Sequence, residues 1–271
     1  MSRSSLGTIY LKTIGSNPRL ERIWKVAQVD FKKRYYNDKL GLIWALVNPL
    51  TQIALYYFVF TRIFQKQEEN FVLFLFGGLI IWLAFSQATT IGQKLLVNKI
   101  HLLESVQFQW IDLYTSHMIS ISIGLLFNFT AYFILLFLTG AKLGGHFYLF
   151  PVVLITWFLI TSGASILLGL IRPVIEDVDH LWSLTLMIGL WVTGVFFSGT
   201  YYFDNHQWFL YVNPFVGLIL NTRACLLEGN DMYFDLLLIN LVYGVVIYLL
   251  GYILFNMYLS LIHISEPTRP Y

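Results

Sequence analysis

The chain has 271 residues, of which 57% are hydrophobic and only 12% charged, with a formal net charge of +2 and a mean hydropathy of +0.67. Soluble domains carry about 25% charged residues, so this composition excludes an ordinary water-covered fold and points to a chain solvated mainly by lipid. The small net charge, with no basic patch interleaved with aromatics, also excludes a nucleic-acid-binding surface.

Residues 1–39 are polar and hold nine of the 17 Lys and Arg. They lack the short apolar core and small-residue cleavage site of a signal peptide. Leu20, Ile23, Trp24, Ala27, Phe31 and Tyr35 recur at three- and four-residue spacing, while Arg22, Lys25, Lys32, Lys33 and Lys39 fall mostly elsewhere on the wheel. That pattern predicts an amphipathic helix over Leu20–Lys39 lying in the membrane interface, its cations near anionic lipid. The same helix packed on another protein surface is the alternative.

Residues 40–262 hold six stretches free of Lys, Arg, Asp and Glu: Leu40–Thr61, Phe71–Gln93, Leu113–Ala141, Phe147–Ile171, Leu181–Phe203 and Leu236–Ile262. Each reaches the roughly 20 residues that cross ~30 Å of hydrocarbon as a helix. Nothing resembles the short alternating segments of a β-barrel, so the predicted fold is an all-α membrane protein with six transmembrane helices. With the N-terminus inside, 13 Lys and Arg fall on the cytoplasmic side and four (Arg62, Lys66, Lys142, Arg223) outside. The positive-inside rule therefore predicts a multi-pass inner-membrane protein with both termini cytoplasmic.

The segment Tyr201–Asp235 between the last two stretches is long and aromatic, and Asn213-Pro214 divides it. It reads as a re-entrant pair of half-helices, with an ordinary surface loop carrying interfacial aromatics as the alternative. Two cytoplasmic loops, Lys94–Asp112 and Arg172–His180, mix charged and apolar residues in the manner of elements that dock on a cytoplasmic partner or simply face solvent. Residues 263–271 (HISEPTRPY) break the apolar pattern with two prolines and read as a non-native tail. The single cysteine, Cys225, has no disulfide or metal-binding partner pattern and reads as a small apolar filler.

The chain holds no phosphate-binding loop, no HExxH, no GxSxG and no carboxylate pair inside an apolar stretch. Catalysis or proton relay at membrane depth needs titratable groups there, so both are disfavoured. Neutral polar and aromatic groups are present instead. Trp44, Asn48, Gln52 and Tyr56 step by four along the first stretch and sweep about 120° of one helix face. Amides beside flat rings suit sugars, offering hydrogen bonds to hydroxyls and ring faces to C–H groups; helix–helix adhesion is the competing role. Ser86, Gln87, Thr89, Thr90 and Gln93 end the second stretch, and Asn128 and Thr130 lie in the third. Thr161, Ser165 and Gly169 form a ladder of small residues in the fourth, read as a packing face.

From Phe31 to Leu50 the string FKKRYYNDKLGLIWALVNPL resembles the entry motif of ABC-2 type permeases of polysaccharide-export ABC transporters, with Arg34, Tyr35, Gly41, Trp44 and Pro49 matching. Trp208, Asn213-Pro214, Arg223 and Gly229 are similar to that family's external segment. The resemblance covers nearly the whole chain to about residue 260, although the second cytoplasmic loop reads Arg172-Pro-Val-Ile-Glu-Asp177 where the family usually carries an Arg-Asp pair. It implies a homodimeric permease working with two copies of a cytoplasmic ATPase, which holds the ATP and Mg, while this chain binds no cofactor or metal. It implies a cargo of O-antigen, capsule or teichoic-acid type, a glycan on an isoprenoid lipid. It makes Leu20–Lys39 a gate helix, with Trp24, Phe31, Arg34 and Tyr35 in that role. Lys99, His101, Glu104 and Phe108 become the ATPase-coupling element, and Trp44, Asn48, Gln52 and Tyr56 the translocation path.

Two competing readings remain at this point. One keeps the exporter and changes its cargo to a small lipophilic drug. The other is a membrane enzyme acting on lipid-linked sugars, with Asp204, His206 or Asp231 as acid–base groups.

Overall fold

The computed structural model describes residues 19–35, 41–63, 70–99, 109–175, 177–205 and 207–265, and every regular element among them is helical. Helix α1 spans Arg19–Tyr35. A 3-10 turn at Gly41–Ile43 leads into α2, Trp44–Phe58, which continues as a π-helical turn over Val59–Ile63. Then follow α3 (Phe71–Gly92), α4 (Trp110–Thr139), α5 (Phe150–Ile171) and α6 (Val178–Val192). Three short helices come next, α7 (Gly199–Asn205), α8 (Gln207–Val212) and α9 (Pro214–Leu226), before the long α10, Phe234–Ser265. The first three residues of the expected non-native tail thus continue α10.

Among the described residues, four segments are long and apolar enough to cross a membrane: Phe71–Gly92, Trp110–Thr139, Phe147–Ile171 and Phe234–Tyr258. The first and fifth apolar runs depart from the regular crossings their composition predicts. In the first, α2 carries Pro49, which cannot donate a backbone hydrogen bond, and the helix widens into a π turn after Phe58. In the fifth, α6 stops at Val192 after 15 residues, about 22 Å, short of a ~30 Å hydrocarbon core. The apolar sequence continues, but Gly194 takes the left-handed conformation (φ +83°), and the chain turns before α7 begins.

Helix α3 is the central post, buried along most of its length and packed against α2, α4, α5, α6 and α9. Its fit to α5 depends on small residues. A Cβ on Gly92 would lie 2.6 Å from Ser165 Cβ, and one on Gly169 would lie 3.3 Å from Gly92 O and would also meet the Tyr114 hydroxyl of α4 at 1.8 Å. The Ser165–Gly169 part of the expected ladder is therefore a close-packing face. The α5–α10 pair is the most extensive contact, and at Gly163 a Cβ would come within 2.6 Å of the Tyr248 backbone nitrogen. The opposite side of α10 exposes Leu238, Val242, Leu249, Leu250, Ile253 and Met257, an apolar face suited to lipid.

Helix α9 is set deep: every side chain from Phe215 to Leu226 is buried, against α3, α5 and α10. Its start is fixed locally, since the Asn213 side chain accepts from Phe215 N at 3.0 Å and Pro214 takes the first helical position. Asn213-Pro214 does divide the segment between the last two apolar runs, as the sequence predicts.

Candidate functional site: a polar cavity and the helix beside it

A cavity of about 320 Å³ opens between α2, α3 and α4. Trp44, Asn48 and Gln52 form its α2 wall, Ser86, Gln87 and Thr90 its α3 wall, and Asn128 its α4 wall. Ile80, Leu83, Ile121 and Leu125 supply apolar surface between them. Among the described residues, no Asp, Glu, Lys or Arg lines it. Three of the four residues expected to form a path meet here. Tyr56, a further turn along, packs instead against Trp191 and Phe196 with ring centroids 6.4 and 4.8 Å away. A four-residue step advances about 40° around a helix, so three steps carry Tyr56 well off the face that starts at Trp44.

The amides are differently satisfied. Asn128 donates from Nδ2 to Gly124 O at 3.0 Å, while its buried Oδ1 has no protein partner. Such an acceptor at a cavity wall can receive a hydroxyl. Thr89 faces away and accepts from Trp182 Nε1 at 2.9 Å, tying α6 to α3. Gln93 is buried beyond the cavity, and the Thr130 hydroxyl bonds back to Leu126 O.

Helix α1 is held to the bundle at three levels along its length. At its start, Arg19 Nε donates at 2.8 Å to Asp112, which also completes a capping box with Gln109 at the head of α4. In the middle, Lys99 pairs with Asp30. Near its end, Arg34 donates to Ser120 Oγ at 2.9 Å and to Gln87 Oε1 at 3.4 Å. Its buried face is Ile23, Val26 and Ala27, whereas Leu20 and Trp24 are exposed and Phe31 is half-buried. The helix is therefore packed on α4 along one side while an apolar and cationic side stays open. Of the coupling residues expected from the sequence, Lys99 lies beside α1; His101, Glu104 and Phe108 lie outside the described residues, as does the side chain of Tyr35.

On the far side of the bundle, Arg223 of α9 is fully buried. Its Nε donates to Phe74 O at 3.0 Å and its Nη1 to Gly194 O and Phe197 O at 2.9 and 3.0 Å, while Nη2 donates to Val195 O. The guanidinium carbon lies 3.5 Å above the centre of the Phe74 ring. The carbonyls of the turn that follows α6 are thus bound by a side chain from α9, and Gly78 makes room, since a Cβ there would come within 2.9 Å of Nη2. Trp208 is exposed on α8, and Asp204 and Asp231 are both exposed; His206 lies outside the described residues.

Sequence reading missed the contacts of Arg34 and Arg223, whose partners lie up to 149 residues away. Only the capping pattern Gln109-x-x-Asp112 was there to be read locally.

The comparisons with known proteins fit this architecture. Over 234 residues the chain is 24% identical to the O-antigen export system permease protein RfbA of Klebsiella pneumoniae, covering 85% of this chain and 89% of that protein. It is 28% identical over 209 residues to the O-antigen export system permease protein RfbA of Myxococcus xanthus, covering 75% and 79% respectively. The profile of the ABC-2 type transporter family matches residues 21–227, from α1 through α9, and the chain belongs to that family.

Proposed function

We propose that this chain is the permease subunit of an ATP-driven exporter that moves a lipid-linked polysaccharide of O-antigen type outward across the bacterial inner membrane. The observation that carries the reading is the cavity walled by Trp44, Asn48, Gln52, Gln87 and Asn128, which offers hydrogen bonds and a ring without a fixed charge. A repeating uncharged glycan must bind and leave many times, and neutral amides hold it weakly enough to let it pass. A small lipophilic drug would gain little from so many amides, which favours the glycan over that cargo. The relatives named as O-antigen export permeases support the same choice.

The working assembly is a homodimer with two ATPase subunits that bind ATP and Mg, and both termini face the cytoplasm. The six crossings comprise the four long spans, the interrupted Gly41–Ile63 segment, and α6 completed by the turn that Arg223 holds. In this arrangement α7 to α9 form a re-entrant external cap. ATPase closure reaches the bundle through residues 94–112 and through Asp179, which binds Lys94 at 3.1 Å and Arg172 at 3.0 Å.

The test is ATP-dependent glycan export by the permease reconstituted with its ATPase, comparing wild type with the double substitution Asn48→Leu and Gln52→Leu. Export falling about thirtyfold, while ATPase association is kept, is the expected result, because two hydrogen bonds of about 1 kcal/mol each are removed. Unchanged export would refute the path.

A further inference from the structure

Two amides of the polar cavity have their orientation set by the protein. Asn128 lies on α4, and its Nδ2 donates to Gly124 O, one turn back, at 3.0 Å. A backbone carbonyl only accepts, so the nitrogen must face it and the oxygen must face elsewhere. That oxygen, Oδ1, is buried without a protein partner on a residue that lines the cavity. On α3 the constraint is reversed. Arg34, which lines a neighbouring basic cavity of about 250 Å³ with Lys33, Lys99 and Asp30, donates to Gln87 Oε1 at 3.4 Å. A guanidinium has no acceptor, so it holds the Gln87 oxygen. The Gln87 N–H groups are left for the polar cavity and have no partner among the described residues.

The cavity therefore carries an acceptor of fixed polarity from α4 and donors from α3, with Leu83, Ile121 and Leu125 supplying apolar surface beside them. A buried acceptor left unpaired is costly, so a ligand that brings a donor is favoured there. The volume of about 320 Å³ equals that of about ten waters in the liquid, room for one sugar unit at a time. A hydroxyl is donor and acceptor at once and could meet either wall, but it brings nothing apolar. A secondary amide brings a donor, an acceptor turned the opposite way and, in an acetamido group, a methyl. Among the described residues no charged side chain lines the cavity, so nothing there favours an amino sugar or a uronic acid.

We propose that this cavity selects an N-acetylated sugar, with Asn128 Oδ1 accepting from the acetamido N–H, Gln87 donating to the acetamido carbonyl, and Leu83, Ile121 and Leu125 receiving the methyl. Asn128 is the specificity-determining residue, because its own helix fixes its polarity, whereas that of Gln87 depends on α1 staying docked through Arg34. The proposal rests on the export reading and deepens it by naming the sugar chemistry that the path recognises.

The experiment titrates two linear trisaccharides of the same linkage, triacetylchitotriose and cellotriose, onto the full chain in phosphatidylcholine nanodiscs, followed by saturation-transfer NMR. The two differ only in carrying an acetamido group or a hydroxyl at the second carbon of each ring. The wild type prefers triacetylchitotriose about tenfold, and Asn128→Leu lowers the preference to about unity. Gln87→Glu, which keeps an oxygen for Arg34 and removes the donors, lowers it about threefold. The preference is a ratio taken on one folded sample, so a lower yield of either variant does not alter it. Equal binding of the two sugars by the wild type overturns the proposal, as does binding of neither, and a preference that survives both substitutions overturns the assignment to these residues. If the wild type shows no preference while the assembled transporter exports glycan with ATP, the specificity is wrong and the export reading stands. If the preference is lost in Asn128→Leu but ATP drives no glycan across, the site stands and the export reading fails.

Discussion

Two arginines set in the bundle, Arg34 and Arg223, show how the same side chain serves different ends. Arg223 is fully buried and places its N–H groups on four backbone carbonyls, three of them where α6 stops. Nothing mobile can replace backbone carbonyls without unravelling the turn they belong to, so that residue is architecture. Arg34 is half-buried, donates to the Ser120 and Gln87 side chains among its contacts, and borders a cavity. Both of these partners are side chains, which can turn away without disturbing the backbone. The partner type, backbone carbonyls for Arg223 and side chains for Arg34, differs although the residue type is the same.

The comparison is broken most directly at Arg223. Arg223→Ala removes the donors from four backbone carbonyls, three of them in buried contacts, and should cost about 3–5 kcal/mol, enough to abolish recovery of folded protein from membranes. Arg223→Lys, with three donors and no planar fork, should restore part of the yield. Export proportional to folded protein in both variants would confirm an architectural role. Arg34→Gln is expected to do the reverse, leaving the yield of folded protein near wild type while export drops about tenfold.

A smaller effect is expected at Gly163, where a Cβ would meet the α10 backbone at 2.6 Å. Gly163→Ala should destabilise the α5–α10 pair by about 1–3 kcal/mol and lower the melting temperature of the detergent-solubilised chain. The smallest belongs to the exposed Lys142–Glu228 pair at 3.6 Å, where Lys142→Ala should shift stability by no more than about 0.5 kcal/mol.

Much of the membrane architecture was legible because lipid imposes long uncharged stretches, and four of the six expected ones are long helices. The α2 wall was legible too, since Trp44, Asn48 and Gln52 advance slowly around one helix; Tyr56 was lost because that same drift accumulates. The early end of α6 was not legible. No proline or charge stands at Val192, and what stabilises the turn is a guanidinium about 30 residues further on, acting with a left-handed Gly194. The basic cavity escaped for a related reason, because it exists only once α1 docks on α4 and brings Asp30 and Arg34 to Lys99 and Ser120.

Site-specific photocrosslinking during export tests the central claim most directly. A benzoylphenylalanine at Gln52, in the cavity, is compared with one at Leu238, on the exposed apolar face of α10. In the transporter assembled with its ATPase and supplied with ATP, position 52 should form glycan adducts and position 238 only lipid adducts. Sustained export with no glycan captured at position 52 would contradict the account.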